Sequence, residues 1–317
     1  MKTSTSKRLR WNVAIWLAAG LFMTSTAGMA SGPIMPDPKA EARHQPQVEE
    51  TANGIPLVNI TAPSSGGVSR NEYETFNVPD KGAILNNSYT LSKTELAGYV
   101  QGNNNMAERP AKIIVNEVTG AGSTSMDGFL EVAGNRADVV IANPNGITVN
   151  GGGFINTGKA FLTTGKPVYD GEDHLQRFDI TGGDILIEGK GLGGKETESL
   201  AILSRAVKIN AGIWAKDLHI TTGANTVDAK TLEASAIEGK GGRPAFALDT
   251  AAIGGMYAGR ITLVGTEKGL GVNNSGTWSA EDNLTLDWNG DLKNSGTIYS
   301  KGNTDLRASR LENDKTI

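Results

Sequence analysis

Two pairs of acidic residues are spaced so that they could act together in acid–base chemistry. Glu72 and Glu74 sit two positions apart and therefore share one face of a predicted strand, while Glu281 and Asp282 are adjacent. Convergent carboxylates are what the cleavage of a polysaccharide requires. Exposed acidic pairs are, however, common on soluble surfaces, and the sequence contains no GxSxG motif. We therefore predict that the chain is not an enzyme and has no catalytic residues.

A glycine-rich segment at residues 189–194 matches the GxGxxG pattern of dinucleotide-binding proteins. It follows a short predicted strand at residues 184–188, and Asp217 lies where an acidic residue could contact a ribose. The segment that follows is short for a crossover helix, and Glu196 replaces the Ser or Thr that a P-loop requires. The pattern favours a glycine-rich β-turn, and we predict no cofactor.

The scarcity of cysteine and histidine limits the chemistry further. The 317 residues include no Cys, which excludes disulfides, thiolate nucleophiles and iron–sulfur clusters. His44, His174 and His219 are far apart and form no HxxxH pair, so we predict no metal site. The formal charge is -4, and no Lys/Arg cluster follows the N-terminus, which argues against a nucleic-acid partner.

Residues 1–30 have the pattern of a secretory signal peptide. A basic segment at residues 2–10 precedes an apolar stretch at residues 11–23, which is short for a membrane span, although a membrane anchor is the alternative. Small residues then permit cleavage after Ala27 or Ala30. We expect the general secretory translocon and signal peptidase as partners. The expected route runs through the periplasm to the exterior or the cell surface of a Gram-negative bacterium.

Residues 31–53 are polar and contain four of the 11 prolines. This composition predicts a flexible leader without a fold of its own. Without residues 1–30 the chain has 26 basic and 34 acidic side chains, a formal charge of -8. An acidic, cysteine-free chain of this kind fits an exported bacterial protein.

From residue 54 onward, short alternations of apolar and polar residues predict a series of β-strands. The runs are four to eight residues long and bounded by Gly and Asn, as at residues 113–118, 184–188 and 260–264. The 41 Gly and 25 Asn agree with many turns. Helical signals are weak, and residues 197–205 are the best short helix candidate.

An internal repeat with a period of 20 residues lies near the C-terminus. The tetrapeptide NSGT at residues 274–277 recurs at residues 294–297, and Leu286 matches Leu306. A fixed period of this length is typical of a solenoid, and the absence of a Leu-dense consensus favours a parallel β-helix. In such a fold the coils stack about 4.8 Å apart.

The residue types of the repeat suggest how its turn is built. Asn274 and Asn294 can form stacked amide ladders, and Gly276 and Gly296 are expected to supply a positive φ. No polar cap follows the last repeat. An uncapped coil leaves unpaired backbone groups at its edge that can pair with another strand. We therefore expect the chain to be the N-terminal piece of a longer solenoid.

Several segments resemble the N-terminal secretion domain of two-partner secretion exoproteins, the filamentous haemagglutinin family. Contact-dependent growth-inhibition proteins and haemolysins are among its relatives. The resemblance implies an all-β fold, a right-handed parallel β-helix with an N-terminal cap and extra-helical hairpins. The segments cover over a third of the chain in the family's order and are residues 54–78, 114–120, 130–167, 203–225 and 254–272.

The resemblance also divides the chain into regions. After the signal peptide (1–30) and the flexible leader (31–53), it implies a secretion domain over residues 54–272. Residues 273–317 would then begin the haemagglutinin-type β-helix repeats.

Two motifs of that family are linked to secretion. The intact NPNGI motif is matched by Asn143, Pro144, Asn145, Gly146 and Ile147. The slot of the second motif, NPNL, is degenerate and reads Asn103, Asn104, Asn105 and Met106. Both motifs have the residue types of turns, so a role in shaping the β-helix stands beside a role in export. Some relatives have a CxxC directly after NPNGI, where residues 150–153 here read NGGG and form no disulfide.

The resemblance implies a partner as well. This partner is an outer-membrane β-barrel transporter whose periplasmic domains bind the N-terminal region, for which strand addition is a physical mode. The exported protein would then serve as an adhesin or haemagglutinin on host or neighbouring cells. The alternatives are the carrier of a contact-dependent growth-inhibition toxin, a haemolysin, and a free β-helix enzyme.

Overall fold

The computed structural model describes residues 32–107 and 109–317, so the predicted signal peptide lies outside the described residues. Two short 3₁₀ helices occur in this part of the chain, η1 (Ala42–His44) and η2 (Asn104–Met106). The remaining elements are strands, in chain order β1 (Ile34–Pro36), β2 (Gln47–Glu50), β3 (Pro56–Asn59), β4 (Val68–Phe76), β5 (Ala83–Asn87), β6 (Ser92–Thr94), β7 (Gly98–Val100), β8 (Ile113–Val118), β9 (Thr124–Met126), β10 (Phe129–Gly134), β11 (Ala137–Ala142), β12 (Ile147–Val149), β13 (Gly152–Ile155), β14 (Thr157–Thr163), β15 (Lys166–Tyr169), β16 (Leu175–Ile180), β17 (Asp184–Ile187), β18 (Leu192–Gly194), β19 (Ser199–Ser204), β20 (Ala206–Ile209), β21 (Gly212–Thr222), β22 (Asn225–Asp228), β23 (Ala234–Ala236), β24 (Leu248–Thr250), β25 (Gly255–Gly265), β26 (Val272–Asn274), β27 (Thr277–Ala280), β28 (Leu284–Trp288), β29 (Asp291–Asn294), β30 (Thr297–Ser300), β31 (Thr304–Arg307) and β32 (Arg310–Asn313).

Three stacks of parallel strands form the body, and each complete coil adds one strand to each stack. Stack 1 contains β3, β5, β10, β13, β18, the first halves of β21 and β25, β27 and β30. Stack 2 contains β4, β8, β11, β14, β19, the second halves of β21 and β25, β28 and β31. Stack 3 contains β9, β12, β17, β20, β24, β26, β29 and β32. This confirms the prediction of a parallel β-helix.

The alternation of each strand places its apolar residues inside the coils. In stack 1, for example, Ile213, Met256, Trp278 and Ile298 lie in successive coils and are fully buried. Their neighbours on the same strands point outward. A single continuous apolar core therefore runs along the axis of the helix.

The N-terminal residues pair with the first coil, so the prediction of a flexible leader over residues 31–53 is wrong for this segment. Strand β1 runs antiparallel to β4, with Ile34 opposite Phe76, and β2 runs antiparallel to β3. The first coil of a solenoid has an open edge, and these strands cover it. Composition did not reveal this because β1 lies 40 residues from its partner strand along the chain.

Two groups of antiparallel strands lie outside the coils, as the resemblance implies. The sheet β15–β16–β22–β23 covers the outer face of stack 2, where the rings of Phe161 and Phe178 pack with centroids 6.0 Å apart. The hairpin β6–β7 covers the first strands of stack 1 and contributes Val100 to a separate buried cluster.

The helix predicted at residues 197–205 is strand β19 instead. Leu200 and Ile202 face the core, while Ala201 and Leu203 pack under the covering sheet. A strand that is buried on both faces has a continuous apolar run rather than an alternation, and such a run resembles a short helix.

The glycine-rich segment at residues 189–194 forms a corner and strand β18, as the β-turn prediction requires. Gly189 and Gly191 both have positive φ. The elements that follow are the strands β18 and β19, so the helix that would hold a dinucleotide phosphate is replaced by strands.

The strand register confirms the 20-residue repeat, but the predicted role of its glycines is wrong. Asn274 donates to the Oδ1 of Asn294 at 2.8 Å, and Asn294 donates to the Oδ1 of Asn313 at 2.7 Å, which is the predicted amide ladder. Gly276 and Gly296 do not have a positive φ. They are required because a Cβ at Gly276 would lie 2.2 Å from the Gly254 carbonyl oxygen.

Candidate functional site

The NPNGI motif forms the corner between stack 2 and stack 3, directly after β11. Asn143 is fully buried, and its Nδ2 donates to the Gly122 carbonyl oxygen at 2.9 Å and to Thr124 Oγ1 at 3.0 Å. Its Oδ1 accepts the backbone N–H of Asn145 at 2.9 Å. Gly146 has a φ of 112°, as the turn prediction requires. The motif thus ties one corner to the coil before it.

The outer residues of this turn are more accessible. Pro144 and Asn145 are exposed, whereas Ile147 is buried at the start of β12. The Nδ2 of Asn145 donates to the Gly120 carbonyl oxygen at 2.8 Å. The folded chain therefore presents Pro144 and Asn145 to solvent and hides the side chain of Asn143.

The degenerate motif builds the same kind of turn in the connection between stack 1 and stack 2. Asn103 is buried, and its Nδ2 donates to the carbonyl oxygens of Ile60 at 2.8 Å and Asn86 at 3.0 Å. Its Oδ1 accepts the backbone N–H of Asn105 at 3.0 Å. Met106 is buried in the core and Asn104 is exposed. The two departures from NPNL therefore leave the hydrogen-bonding Asn residues in place.

One side-chain geometry recurs in four turns of the coils. In each, the Oδ1 of an Asn accepts the backbone N–H two residues later, as in the pairs Asn103–Asn105, Asn143–Asn145, Asn274–Gly276 and Asn294–Gly296. A short polar side chain that bonds to its own backbone fixes a sharp corner. Each of the two motifs thus forms a corner of the β-helix. The two corners are different, and the Asn side chains in them bond to different residues.

A charged cluster that the sequence did not predict lies where the N-terminal cap meets stack 2. His44 Nδ1 lies 3.1 Å from Glu72 Oε1, and Arg70 contacts that same oxygen at 2.8 Å. Arg70 also lies 3.5 Å from Glu117, and Asp173 from the β15–β16 turn adds a carboxylate. Glu74, the predicted partner of Glu72, is exposed. The cluster therefore joins distant segments and does not pair the two acidic residues of β4.

The cluster predicts an unusual dependence of stability on pH. Burial raises the pKa of Glu117 to about 7, against an opposing effect of Arg70 and a reinforcing effect of Glu72. Between the ordinary value of 4.5 and about 7, the folded chain binds more protons than the unfolded chain. The free energy of unfolding should therefore fall as the pH rises through this window, by about 3 kcal/mol at most.

The substitution Glu117→Gln should abolish this loss and raise the free energy of unfolding at pH 8, measured by urea denaturation at several pH values. Glu74→Gln on the exposed face is the matched control and should leave the profile unchanged. A Glu117→Gln variant that is less stable than the parent chain at pH 8 would mean that Arg70 holds Glu117 as a carboxylate.

Arg205 is a second residue whose role the sequence did not reveal. Its guanidinium binds the carboxylate of Glu267 with two bonds of 3.0 Å and donates to the Lys240 carbonyl oxygen at 2.7 Å. These contacts fasten the long segment between β23 and β24 to the coils. No local signal marks the pairing because Glu267 lies 62 residues along the chain.

Within residues 32–107 and 109–317, no group of three His, Cys, Asp or Glu residues has a geometry that could hold a metal ion. In the same residues, no helix has the length and apolar character to cross a bilayer. Glu281 and Asp282 are exposed, and Glu281 forms an ion pair with Lys301.

The fold is a parallel β-helix of three strand stacks, with an N-terminal cap whose strands pair with the first coil, hairpins outside the coils and corners held by Asn side chains. This combination defines a class of secretion domains. A model of the TPS secretion domain, the domain of two-partner secretion, matches residues 33–298. This chain belongs to the TPS secretion domain family. The match begins before and ends after the predicted bounds of 54–272, in agreement with the paired strands of the cap and the unbroken stacking beyond residue 272.

Solved and curated relatives agree with this assignment. A crystal structure of the filamentous hemagglutinin secretion domain is similar with a TM-score of 0.74 and 31% identity, over 89% of this chain and 97% of that chain. The toxin CdiA of Yersinia pestis is 43% identical over 298 residues, 87% of this chain and 9% of its own length. The 16S rRNA endonuclease CdiA of Enterobacter cloacae is 44% identical over 280 residues, 87% of this chain and 8% of its own length.

The chain thus spans less than a tenth of the length of these curated relatives. The similarity lies in a secretion domain. The fold predicted from the sequence, a right-handed parallel β-helix, is confirmed by the structure and by the solved relative.

Proposed function

We propose that this chain directs the export of a larger exoprotein through a partner outer-membrane β-barrel transporter. The match of residues 33–298 to a TPS secretion domain carries this proposal. Residues 1–30 would first take the chain through the general secretory translocon to signal peptidase. The periplasmic domains of the transporter would then bind the chain before it folds.

The burial of the two motif asparagines supports recognition of an unfolded chain. In the folded domain the Nδ2 groups of Asn103 and Asn143 donate to neighbouring coils, and their Oδ1 atoms accept N–H groups of their own turns. An extended segment, by contrast, exposes these side chains and can add as a strand to the sheet of a periplasmic domain. Recognition and folding would thus use the same residues at different times.

The free energy of folding outside the cell would make transport proceed outward. Each added coil buries apolar side chains against the one before it, at about 25 cal/mol per Å² of apolar area. A coil that has formed outside cannot return through a narrow pore without unfolding. Export of this kind needs no nucleotide hydrolysis, and residues 273–317, which already stack as regular coils, would begin the repeats that continue the process.

The activity carried beyond the secretion domain is a separate proposal. An adhesin or haemagglutinin role is the first candidate, supported by the 31% identity to the filamentous hemagglutinin secretion domain. The carrier of a contact-dependent growth-inhibition toxin is the second candidate, favoured by the 43% and 44% identity to CdiA proteins. A haemolysin shares the same type of N-terminal domain. In all three the chain would act at the surface of host or neighbouring cells.

An export assay tests the role of the intact motif. Replacing Asn143 and Asn145 together by Ala should lower the amount of chain in the medium of Gram-negative cells that produce the cognate transporter, by about tenfold on an immunoblot. Asn135→Ala, an exposed Asn outside both motifs, is the matched control and should be exported normally. Unchanged export of the double variant would remove these side chains from the recognition step.

A further inference from the structure

A column of aromatic residues runs along the outer face of stack 1. The strand register aligns, in successive coils, the outward positions Phe129, Gly153, Gly193, Trp214, Tyr257, Ser279 and Tyr299. Phe129, Tyr257 and Tyr299 are 44%, 39% and 49% exposed. Beyond the first strands of stack 1, which the hairpin β6–β7 covers, no sheet lies over this face in the described residues, whereas the outer face of stack 2 lies under a four-stranded sheet.

The rings of this column lie across the sheet, over glycines. A Cβ at Gly212 would be 2.5 Å from Trp214 Cη2, and a Cβ at Gly255 would be 2.8 Å from the ring of Tyr257. The two rings are within 16° of parallel, with centroids 6.2 Å apart. The glycines therefore leave room for the rings of Trp214 and Tyr257, which lie nearly parallel in neighbouring coils and form an aromatic platform.

Two depressions lie beside Trp214 along the column, and we refer to them together as the groove. The first, of about 310 Å³, lies between Phe129 and Trp214, and the second, of about 470 Å³, continues past Tyr257 to Ser279. Lys195 borders both. The rim also includes Glu196, Lys216 and Glu281, so it has charges of both signs.

We propose that this groove binds a linear, uncharged polysaccharide along the axis of the β-helix. The C–H face of a pyranose ring packs on a flat aromatic face, and its hydroxyl groups can bond to both ammonium and carboxylate groups. Trp214 and Tyr257 lie in adjacent coils, about 4.8 Å apart, and Phe129 and Tyr299 extend the column on either side, so an extended polymer can contact several rings at once. This glycan site is additional to the transporter-binding role of the domain.

The charged residues at the rim of the groove favour an uncharged polysaccharide over anionic polymers and apolar protein surfaces. An anionic polymer would meet Glu196, Glu281 and a chain whose formal charge without residues 1–30 is -8. A protein partner with an apolar surface would have to desolvate the rim charges, which is costly. Neutral hydroxyl groups avoid both penalties.

Tryptophan fluorescence gives a direct test with the secreted chain. Of the three Trp residues after residue 30, Trp278 and Trp288 are buried, so acrylamide should quench mainly Trp214. We expect cellohexaose or chitohexaose to protect Trp214 from acrylamide, with little dependence on salt. Tyr257→Ala should weaken binding about tenfold, while Tyr257→Phe should keep it. Tyr99→Ala, an exposed ring on hairpin β6–β7, is the control and should bind like the parent chain.

Four results would overturn the proposal, each with folding verified by circular dichroism. The first is no protection of Trp214 by either neutral oligomer, in the parent chain or in Tyr257→Phe. The second is binding only to dextran sulfate, lost at high salt, which would indicate an anion site. The third is self-association that Tyr257→Ala abolishes, which would make the groove an interface between copies. The fourth is a loss of thermal stability in Tyr257→Ala without any glycan binding, which would leave the rings only a covering role over glycines.

Discussion

Replacing Asn143 with Ala is expected to lower the free energy of unfolding of the mature chain by about 3 kcal/mol. The side chain is fully buried and makes four hydrogen bonds. It donates to Gly122 and Thr124 at 2.9 and 3.0 Å, and it accepts from the backbone N–H of Asn145 at 2.9 Å and from the Asn145 Nδ2 at 3.2 Å. Each net bond contributes about 1 kcal/mol, and truncation also leaves the Gly122 carbonyl and the Asn145 N–H without their partner. Urea denaturation monitored by circular dichroism measures this loss.

The neighbouring Asn145 provides the matched comparison. It is exposed and has one short bond, to the Gly120 carbonyl oxygen, so Asn145→Ala should cost about 1 kcal/mol or less. Equal losses for the two variants would contradict the assignment of Asn143 as the residue that fixes this corner. A stable Asn145→Ala variant with reduced export would separate recognition from folding.

A second large effect is expected at the repeat corner, where Gly276→Ala should cost about 3 kcal/mol or more. The added Cβ would lie 2.2 Å from the Gly254 carbonyl oxygen and 2.5 Å from the Ala251 carbonyl oxygen. Both atoms belong to the backbone of the adjacent coil, so the coils must separate to admit the methyl group. The melting temperature and the urea concentration at the midpoint of unfolding should both fall.

Gly242→Ala is the control for this prediction because a Cβ there would meet nothing within 4 Å and the residue does not have a positive φ. It should leave stability unchanged within about 0.5 kcal/mol. Gly296 repeats the contact of Gly276 one coil later, at 2.1 Å from the Gly276 carbonyl oxygen. Wild-type stability in Gly276→Ala would show that the corner can relax and that the close stacking of coils does not depend on glycine.

The sequence predicted the features of the fold that depend on periodicity. The Asn residues of the repeat, Asn274 and Asn294, predicted both the stacking and the amide ladder, since identical polar groups recur at one coil spacing. The role of Gly276 was misjudged, because crowding by the next coil is a tertiary contact that a single turn does not display. The same reason hid the pairing of β1 with β4.

The site was predictable only in part. The turn character of Asn143 and Gly146 followed from residue type alone, and the structure places both in a turn. That Asn103 performs the same task as Asn143, despite the altered motif around it, required the contacts to neighbouring coils. The cluster of His44, Arg70 and Asp173 spans 130 residues of sequence and has no local pattern.

The most direct test of the account is export of the full chain with and without its cognate outer-membrane transporter. Gram-negative cells that produce both proteins should release the chain into the medium or display it at the surface. Cells that lack the transporter should retain it in the periplasm, where it is degraded. Equal amounts outside the cell in both strains would contradict the assignment of this β-helix as a secretion domain for that transporter.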